Sequence, residues 1–408
     1  MPRVLIVFNP FHPDPGVSAR HYSEFAQALR DRGWDVSVLT ANRSYRDSGV
    51  IFREEETWQG IKIYRTRSPA LNIDRPLQRL AASVWMIARW FSKARRMKDV
   101  DVVVIGSNPA FAAALGPLLG TALPRAKFAH WCFDVYPDAI EAAGFSRVYR
   151  PVLDLLRRIM QASYGRYDLI ADLGPRMRER LSSGNREVRR CSLMPWAFAE
   201  TENLSAPDPA IRRDVFGDAE LGILYSGTLG RAHCFENLLR LARCCRERDA
   251  SIAFGFSCRD RREGELCQAL RADDKNVRIV DFVPLEKLAN RLNSADLHMM
   301  SLKPSWSGIS VPSKFFGSLA VGKPVIYEGS ADSDIARLIL DRGIGIVLSD
   351  ENIEEVAQRL IELSQDRVSL RAWQARVHEV YQEEFRRDLV MDKWGEELRA
   401  LLPCIGGS

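Results

Sequence analysis

The chain has no C-x-x-C pair, no low-complexity tract and no Gly/Ser-rich linker in its 408 residues. Without paired cysteines, its eight thiols read as the reduced cysteines of a cytoplasmic protein, not as zinc ligands or a disulfide framework. The opening MPRVLIVF lacks the apolar core and small-residue cleavage site of a secretory leader and reads as a first strand. Long apolar runs are scarce too. Residues 102–124 carry no charge and could cross a bilayer on length alone. Gly106-Ser107-Asn108-Pro109 and Gly116-Pro117 interrupt them, so a buried strand, a turn and a buried helix are expected instead. A Walker phosphate loop is also missing. Gly317 to Lys323 spells G-x-x-x-x-G-K, but Pro324 stands where the magnesium-binding hydroxyl belongs, and a helix precedes the strand rather than following it. Gly322 there reads as a helix stop, with Lys323 at the negative helix end.

What is present fits a soluble globular protein: 46% hydrophobic and 27% charged residues, in a chain too long for one ordinary core. Charge is unevenly spread. Residues 1–200 hold 30 Lys/Arg against 20 Asp/Glu, and residues 201–408 hold 28 against 33. A basic half suits nucleic acid or an anionic membrane. No recognised nucleic-acid module accompanies it, so no nucleic-acid partner is expected.

Short β-branched strands alternate with helices throughout, which predicts an α/β protein of two Rossmann-like doubly wound domains. Strands are expected at RVLIVF, DVSVLT, IKIYRT, DVVVIG, AKFAHWCF, DLIADL and RCSLMP, then at LGILYSG, ASIAFGF, NVRIVDF, DLHMMSL, KPVIYEG and GIGIVLS. The pattern lapses at 197–210. Expected domains are 1–200, 201–375 and a helical tail, 376–408, crossing back to the first. Ligands of such sheets bind beyond the carboxyl ends of the strands, so a cleft with the two domains facing across it is the expected site.

Five segments could carry chemistry or binding. In YSGTLGRAHCFE, Gly227 and Gly230 allow close approach of a ligand, a following helix aims free N–H groups at the loop, Arg231 suits phosphate, and His233 could donate a hydrogen bond. An ordinary strand-to-helix turn would look the same. At the front of the helix before Gly322, Ser313 and Lys314 sit where the helix dipole is positive, and a bound anion would relieve the lysine; a solvated surface lysine is the alternative. Asp134 and Asp138 follow a buried strand, where an acid binds a sugar hydroxyl, steadies a charged intermediate or merely caps the next helix. In NPFHPDPGVSARH, Gly16 permits close approach, and His12 or His21 offers hydrogen bonds. Residues 75–98 form a basic amphipathic helix. Leu77, Leu80, Ala81, Val84, Ala88 and Phe91 share one face, and Trp85, Met86 and Trp90 lie off it. It reads either as a core helix with a basic flank or as a helix resting on an anionic bilayer.

Taken in order, NPFHPDPGVSARHYSEFAQALRDRGWDVSVLTA, SNPAFAAAL, FDVYPDAIEAAG, DLIADLGPRMRERL, YSGTLGRAH, NVRIVDFVPLEKLANRLNSADLHMMSL and GISVPSKFFGSLAVGKPVI resemble the GT-B glycosyltransferases of family 4. The nearer resemblance is to the colanic-acid-type (WcaI-like) members that build bacterial surface polysaccharides. It implies a retaining transfer, without metal or cofactor, from a nucleotide sugar (a UDP-sugar) to a lipid-linked saccharide. The implied setting is the cytoplasmic face of the plasma membrane. By resemblance, Gly230, Arg231 and Lys314 hold the donor diphosphate, Phe282 and Val283 cradle the base, and Gly16 lies in the loop over sugar and acceptor. Two glutamates common in the family are replaced here by Ile309 and Gly317, and a frequent histidine by Phe133. A nucleotide-sugar 2-epimerase and a catalytically silent nucleotide-sugar binder share the fold and remain as alternatives. The first needs acid–base residues that the matched motifs hardly contain.

Overall fold

The computed structural model describes residues 1–45, 47, 49–69, 76–181, 187–198, 200, 204–259 and 262–403, with the side chains of 76–77 and 145–149 left aside. Two compact units result: Met1–Met194 with Val390–Ser408, and Pro195–Leu389. Part of the expected boundary stretch, 199 and 201–203, lies outside the described residues.

The first unit holds β1 (Arg3–Val7), β2 (Asp35–Ala41), β3 (Glu55–Trp58), β4 (Ile61–Thr66), β5 (Val102–Gly106), β6 (Lys127–Trp131), β7 (Leu169–Asp172) and β8 (Arg189–Ser192). Their order is β3-β4-β2-β1-β5-β6-β7-β8, parallel except for β3. The central strands are the β-branched runs, buried on both faces, as parallel sheets require. β3, the sequence EETW, was not foreseen. It is a half-exposed antiparallel edge, too polar to register as a strand. The uncharged run at 102–124 resolves into β5, a short 3₁₀ turn and the helix Leu115–Ala122. No described helix is long and apolar enough to cross a membrane.

One face of this sheet carries the helix Val17–Asp31 and the chain beyond Val390. There Trp394, fully buried, packs 5.0 Å from Phe25 and 5.1 Å from Trp131. Arg32 pairs with Asp392 at 2.7 Å and Arg189 with Glu397 at 2.5 Å, so the segment beyond Val390 is tied to the sheet layer at two points.

The second unit holds β9 (Leu221–Thr228), β10 (Ile252–Arg259), β11 (Val277–Ile279), β12 (Leu297–Ser301), β13 (Val325–Glu328) and β14 (Gly345–Leu348), all parallel in the order β11-β10-β9-β12-β13-β14. This is the doubly wound order in which the chain reverses direction between its first and fourth strands. The reversal opens a fork between the carboxyl ends of β9 and β12. Gly322 follows the helix Lys314–Ala320 with φ +67°, a left-handed stop that glycine adopts without strain. Lys323 beyond it is buried rather than spread over the helix end, and burial lowers its pKa to about 8.

Candidate functional site

The fork of the second unit gathers most of the residues singled out there. β9 ends in Gly227-Thr228, and the following loop turns at Gly230, whose carbonyl accepts from the His233 N–H at 3.0 Å. Arg231 stands at the corner of that turn, exposed. The loop is stitched to the last residue of β12. Ser301 Oγ accepts from the Cys234 N–H at 3.1 Å and donates to the Cys234 carbonyl at 2.5 Å. The Lys303 N–H donates to the Ala232 carbonyl at 2.8 Å. A loop held by its backbone in this way presents Gly230 and Arg231 in one geometry before any ligand arrives.

Lys314 reaches back from its helix to the end of β9. Its Nζ donates to the Tyr225 hydroxyl at 2.6 Å and to the Thr228 carbonyl at 3.0 Å, and lies 3.9 Å from the centre of the Tyr225 ring. These partners are neutral. Among the described residues no carboxylate pairs with this ammonium. Burial therefore pushes its pKa down to about 7, because nothing nearby repays the lost hydration. Gly227 makes room: φ is +133°, and a Cβ there would lie 3.4 Å from Lys314 Cε. Lys314 is thus a half-buried amine whose hydrogen-bond partners are neutral.

Two expectations are corrected here. The helix Glu236–Glu247 does not aim free N–H groups at the loop. The Phe235 N–H donates to Glu236 Oε2 at 2.8 Å, and the Asn237 N–H to the Glu328 carboxylate. The chain's own acids occupy the positive end. His233 is not a donor toward the site either. Its Nδ1 lies 2.5 Å from the Ser301 carbonyl, which can only accept, so Nδ1 carries the proton. Burial, then the Lys314 charge, lower its pKa to about 3, so the ring is neutral and Nε2 offers a lone pair. Ser313 occupies the N-cap position of the Lys314 helix, exposed and without a side-chain cap bond.

Phe282 and Val283 follow β11. The Phe282 ring is exposed and carries the Arg259 guanidinium 4.1 Å above its centre. The Leu229 N–H binds the Arg259 carbonyl at 3.1 Å, so this flat platform adjoins the β9 loop. Val283 is half-buried. The places of the two replaced family glutamates offer no acid: Ile309 is buried, and position 317 faces Leu292. An acid of this neighbourhood that sequence reasoning passed over is Glu328. It pairs in register with Ser301, is buried, and has one carboxylate oxygen, Oε2, without a hydrogen-bond partner. Burial raises its pKa. A glutamate closing a predicted strand in KPVIYEG was the available signal.

In the first unit, the fork between β1 and β5 receives the loop 8–16. Asp14 is buried and anchors this loop, accepting from the Gly16 N–H (2.9 Å), Ser44 Oγ (2.9 Å) and the Tyr45 N–H (2.7 Å). His12 stacks on Trp58 at 4.1 Å, and its carbonyl accepts from buried Arg65 at 2.6 Å. Sequence reasoning singled out neither Asp14 nor Arg65. Asp134 and Asp138 follow β6, where Ser107 Oγ accepts from the N–H groups of Phe133 and Asp134 at 3.1 and 3.3 Å. Asp138 is engaged by Arg180 at 3.1 Å and Arg157 at 3.8 Å, an ion-pair role that holds two helices together. Among the described residues no group of three or more His, Cys, Asp or Glu side chains could hold a metal ion.

Residues 17–195 match the family model of a glycosyl transferase 4-like domain. The probable glycosyltransferase WbjE of Pseudomonas aeruginosa is 26% identical over 286 residues, covering 68% of this chain and 70% of that protein. Among solved structures, sucrose-phosphate synthase from Thermosynechococcus elongatus superposes with a TM-score of 0.73 at 16% identity, over 98% of this chain and 99% of that one. HepE from Anabaena in complex with UDP gives 0.67 at 12% identity, over 98% and 100%. The architecture is that of the GT-B enzymes, two parallel-sheet Rossmann-like domains. The family-model match and the relative support a glycosyltransferase.

Proposed function

We propose that this chain is a retaining glycosyltransferase that takes a hexosyl or N-acetylhexosaminyl group from a UDP-sugar and passes it to a lipid-linked saccharide. The observation that carries the donor side is Lys314, a half-buried ammonium with neutral partners beside a preformed glycine loop. A diphosphate supplies the missing counter-charge. Arg231 at the turn corner adds a second cation, and the Phe282–Arg259 platform offers a flat surface for the base with Val283 beside it. The bound UDP of HepE, on a similar fold, favours this nucleotide.

In the reaction, the bond between the sugar C1 and the diphosphate oxygen breaks and the electron pair leaves with UDP. Lys314 and Arg231 stabilise the charge that develops there. The acceptor oxygen bonds C1 from the same face, and its proton passes to the departing phosphate. In this reading His12, Gly16 and Asp134 serve an acceptor domain, residues 1–200, and residues 201–375 are the donor domain. The protein would act at the cytoplasmic face of the plasma membrane, touching anionic lipid through residues 75–98, within colanic-acid-type surface-polysaccharide synthesis. Arg75 of that segment lies outside the described residues.

A thermal-shift screen of UDP, GDP, ADP and their sugars tests the donor, since a ligand of the native state raises the melting temperature. A response led by UDP supports the reading. Equal or absent responses to all nucleotides overturn it.

A further inference from the structure

In the helix Pro76–Ala94 the core is made by Met86 and Trp90, and Val84 and Ala88 point outward with Trp85. Val84 and Ala88 belong to the shared face read from the sequence, and Met86 and Trp90 lie off it, so it is the residues off that face that meet the core. The exposed stripe has neighbours. β4 to β5, β5 to β6 and β6 to β7 all step in one direction across the sheet, so their right-handed crossovers place the helices Pro76–Ala94, Leu115–Ala122 and Ser146–Tyr164 on a single face. The first packs on the second, and the third on the turn Ala112–Ala114 that leads into the second. Each shows large apolar side chains to solvent: Val84 and Trp85, then Leu118, then Val152, Leu155 and Ile159, all between 45% and 60% exposed. Positions 152, 155 and 159 fall on one helical stripe.

We infer that this three-helix face is a lipid-binding surface, with the helix Ser146–Tyr164 an equal partner of Pro76–Ala94, and that its occupant is an anionic bilayer. The inference deepens the proposed membrane contact and rests on it. Charge selects the occupant. The three helices carry seven Lys/Arg and a single acid, Asp154. Lys93 pairs with Glu55, and Arg157 with Glu141 and Asp154. Arg89, Arg150 and Arg158 stand exposed beside the apolar stripes. A second copy docked on this face by a twofold axis would set these arginines against arginines of the same kind. Anionic headgroups would neutralise them while the apolar side chains enter the acyl boundary.

The test is flotation of the full chain with vesicles of phosphatidylcholine, alone and mixed with phosphatidylglycerol. Three proteins are compared: the wild type, Leu155→Asp/Ile159→Asp, and Val84→Asp/Trp85→Ser. All substituted positions are exposed, and an unchanged melting temperature and UDP-induced shift verify the fold. The expected result is wild-type recovery with the anionic vesicles, and partitioning about tenfold lower or more for either double variant. If only Val84→Asp/Trp85→Ser loses binding, the inference fails and the single-helix contact stands. If the wild type ignores both vesicles, both ideas fail. Wild-type dimers in light scattering that Leu155→Asp/Ile159→Asp dissolves, without vesicle binding, would assign the face to a second copy and overturn the inference.

Discussion

Replacing Lys314 with Gln removes a charge at the β9–β12 fork whose hydrogen-bond partners are neutral and keeps a polar side chain of similar reach. A charge-assisted hydrogen bond contributes about 1.5–3 kcal/mol, so UDP should bind roughly ten- to a hundred-fold more weakly. The pH dependence is more diagnostic. With its pKa lowered to about 7, Lys314 of the free protein loses its proton as pH rises through neutrality. UDP binds the ammonium form, so wild-type affinity should be steady below pH 7. Above it, affinity should fall by up to about tenfold per pH unit, with proton uptake on binding. The free fold shows the opposite sign. Between about pH 7 and the ordinary lysine range the unfolded chain holds a proton that the native one has shed, so stability due to this group rises with pH. Isothermal titration of UDP across this range, in two buffers of different ionisation enthalpy, reads both effects. Lys314→Gln should remove the proton uptake and flatten the affinity profile. A variant that binds UDP within about twofold of wild type, or a wild type with a flat profile, refutes the reasoning.

Four further outcomes are expected. Arg231→Ala, at an exposed turn corner, should weaken UDP binding while leaving the melting temperature of the free protein unchanged. Gly227→Ala forces a side chain into φ +133° against Lys314, and should cost about 1–3 kcal/mol in urea titration and lose the UDP-induced shift. Trp394→Ala empties the space between Phe25 and Trp131 and should cost about 3–5 kcal/mol, read as a lower urea midpoint. Glu328 has a raised pKa, so the native state holds its proton longer than the unfolded chain, and its contribution falls as pH rises above the ordinary carboxylate value. Glu328→Gln should remove that slope from the stability–pH curve without unfolding the protein.

Fold was legible in the sequence where burial is two-sided. Runs such as VVVIG and GILY are strands because little else accepts β-branched residues without a polar face, and every strand expected from them is present. β3 was missed because an edge strand needs no such run. Pro76–Ala94 left two readings open for a related reason: it is apolar on two sides, and periodicity does not say which side meets the sheet, whereas the structure turns Met86 and Trp90 inward. Site chemistry was less legible because it depends on contacts between distant positions. Lys314 meets Tyr225 across 89 positions, and that meeting, not the lysine's place on its helix, isolates the charge. The helix Glu236–Glu247 is closed to an anion by Glu328, which arrives at its end from a strand about 90 residues further along the chain.

The proposed reaction is retaining sugar transfer from a UDP-sugar. Its most direct measurement is proton NMR of the product formed from an α-linked UDP-sugar and a lipid-linked saccharide acceptor, with UDP release followed in parallel. One UDP per new glycosidic bond and an anomeric coupling that shows an α linkage are the expected result. A β linkage, or a donor sugar epimerised with no saccharide product, would contradict it.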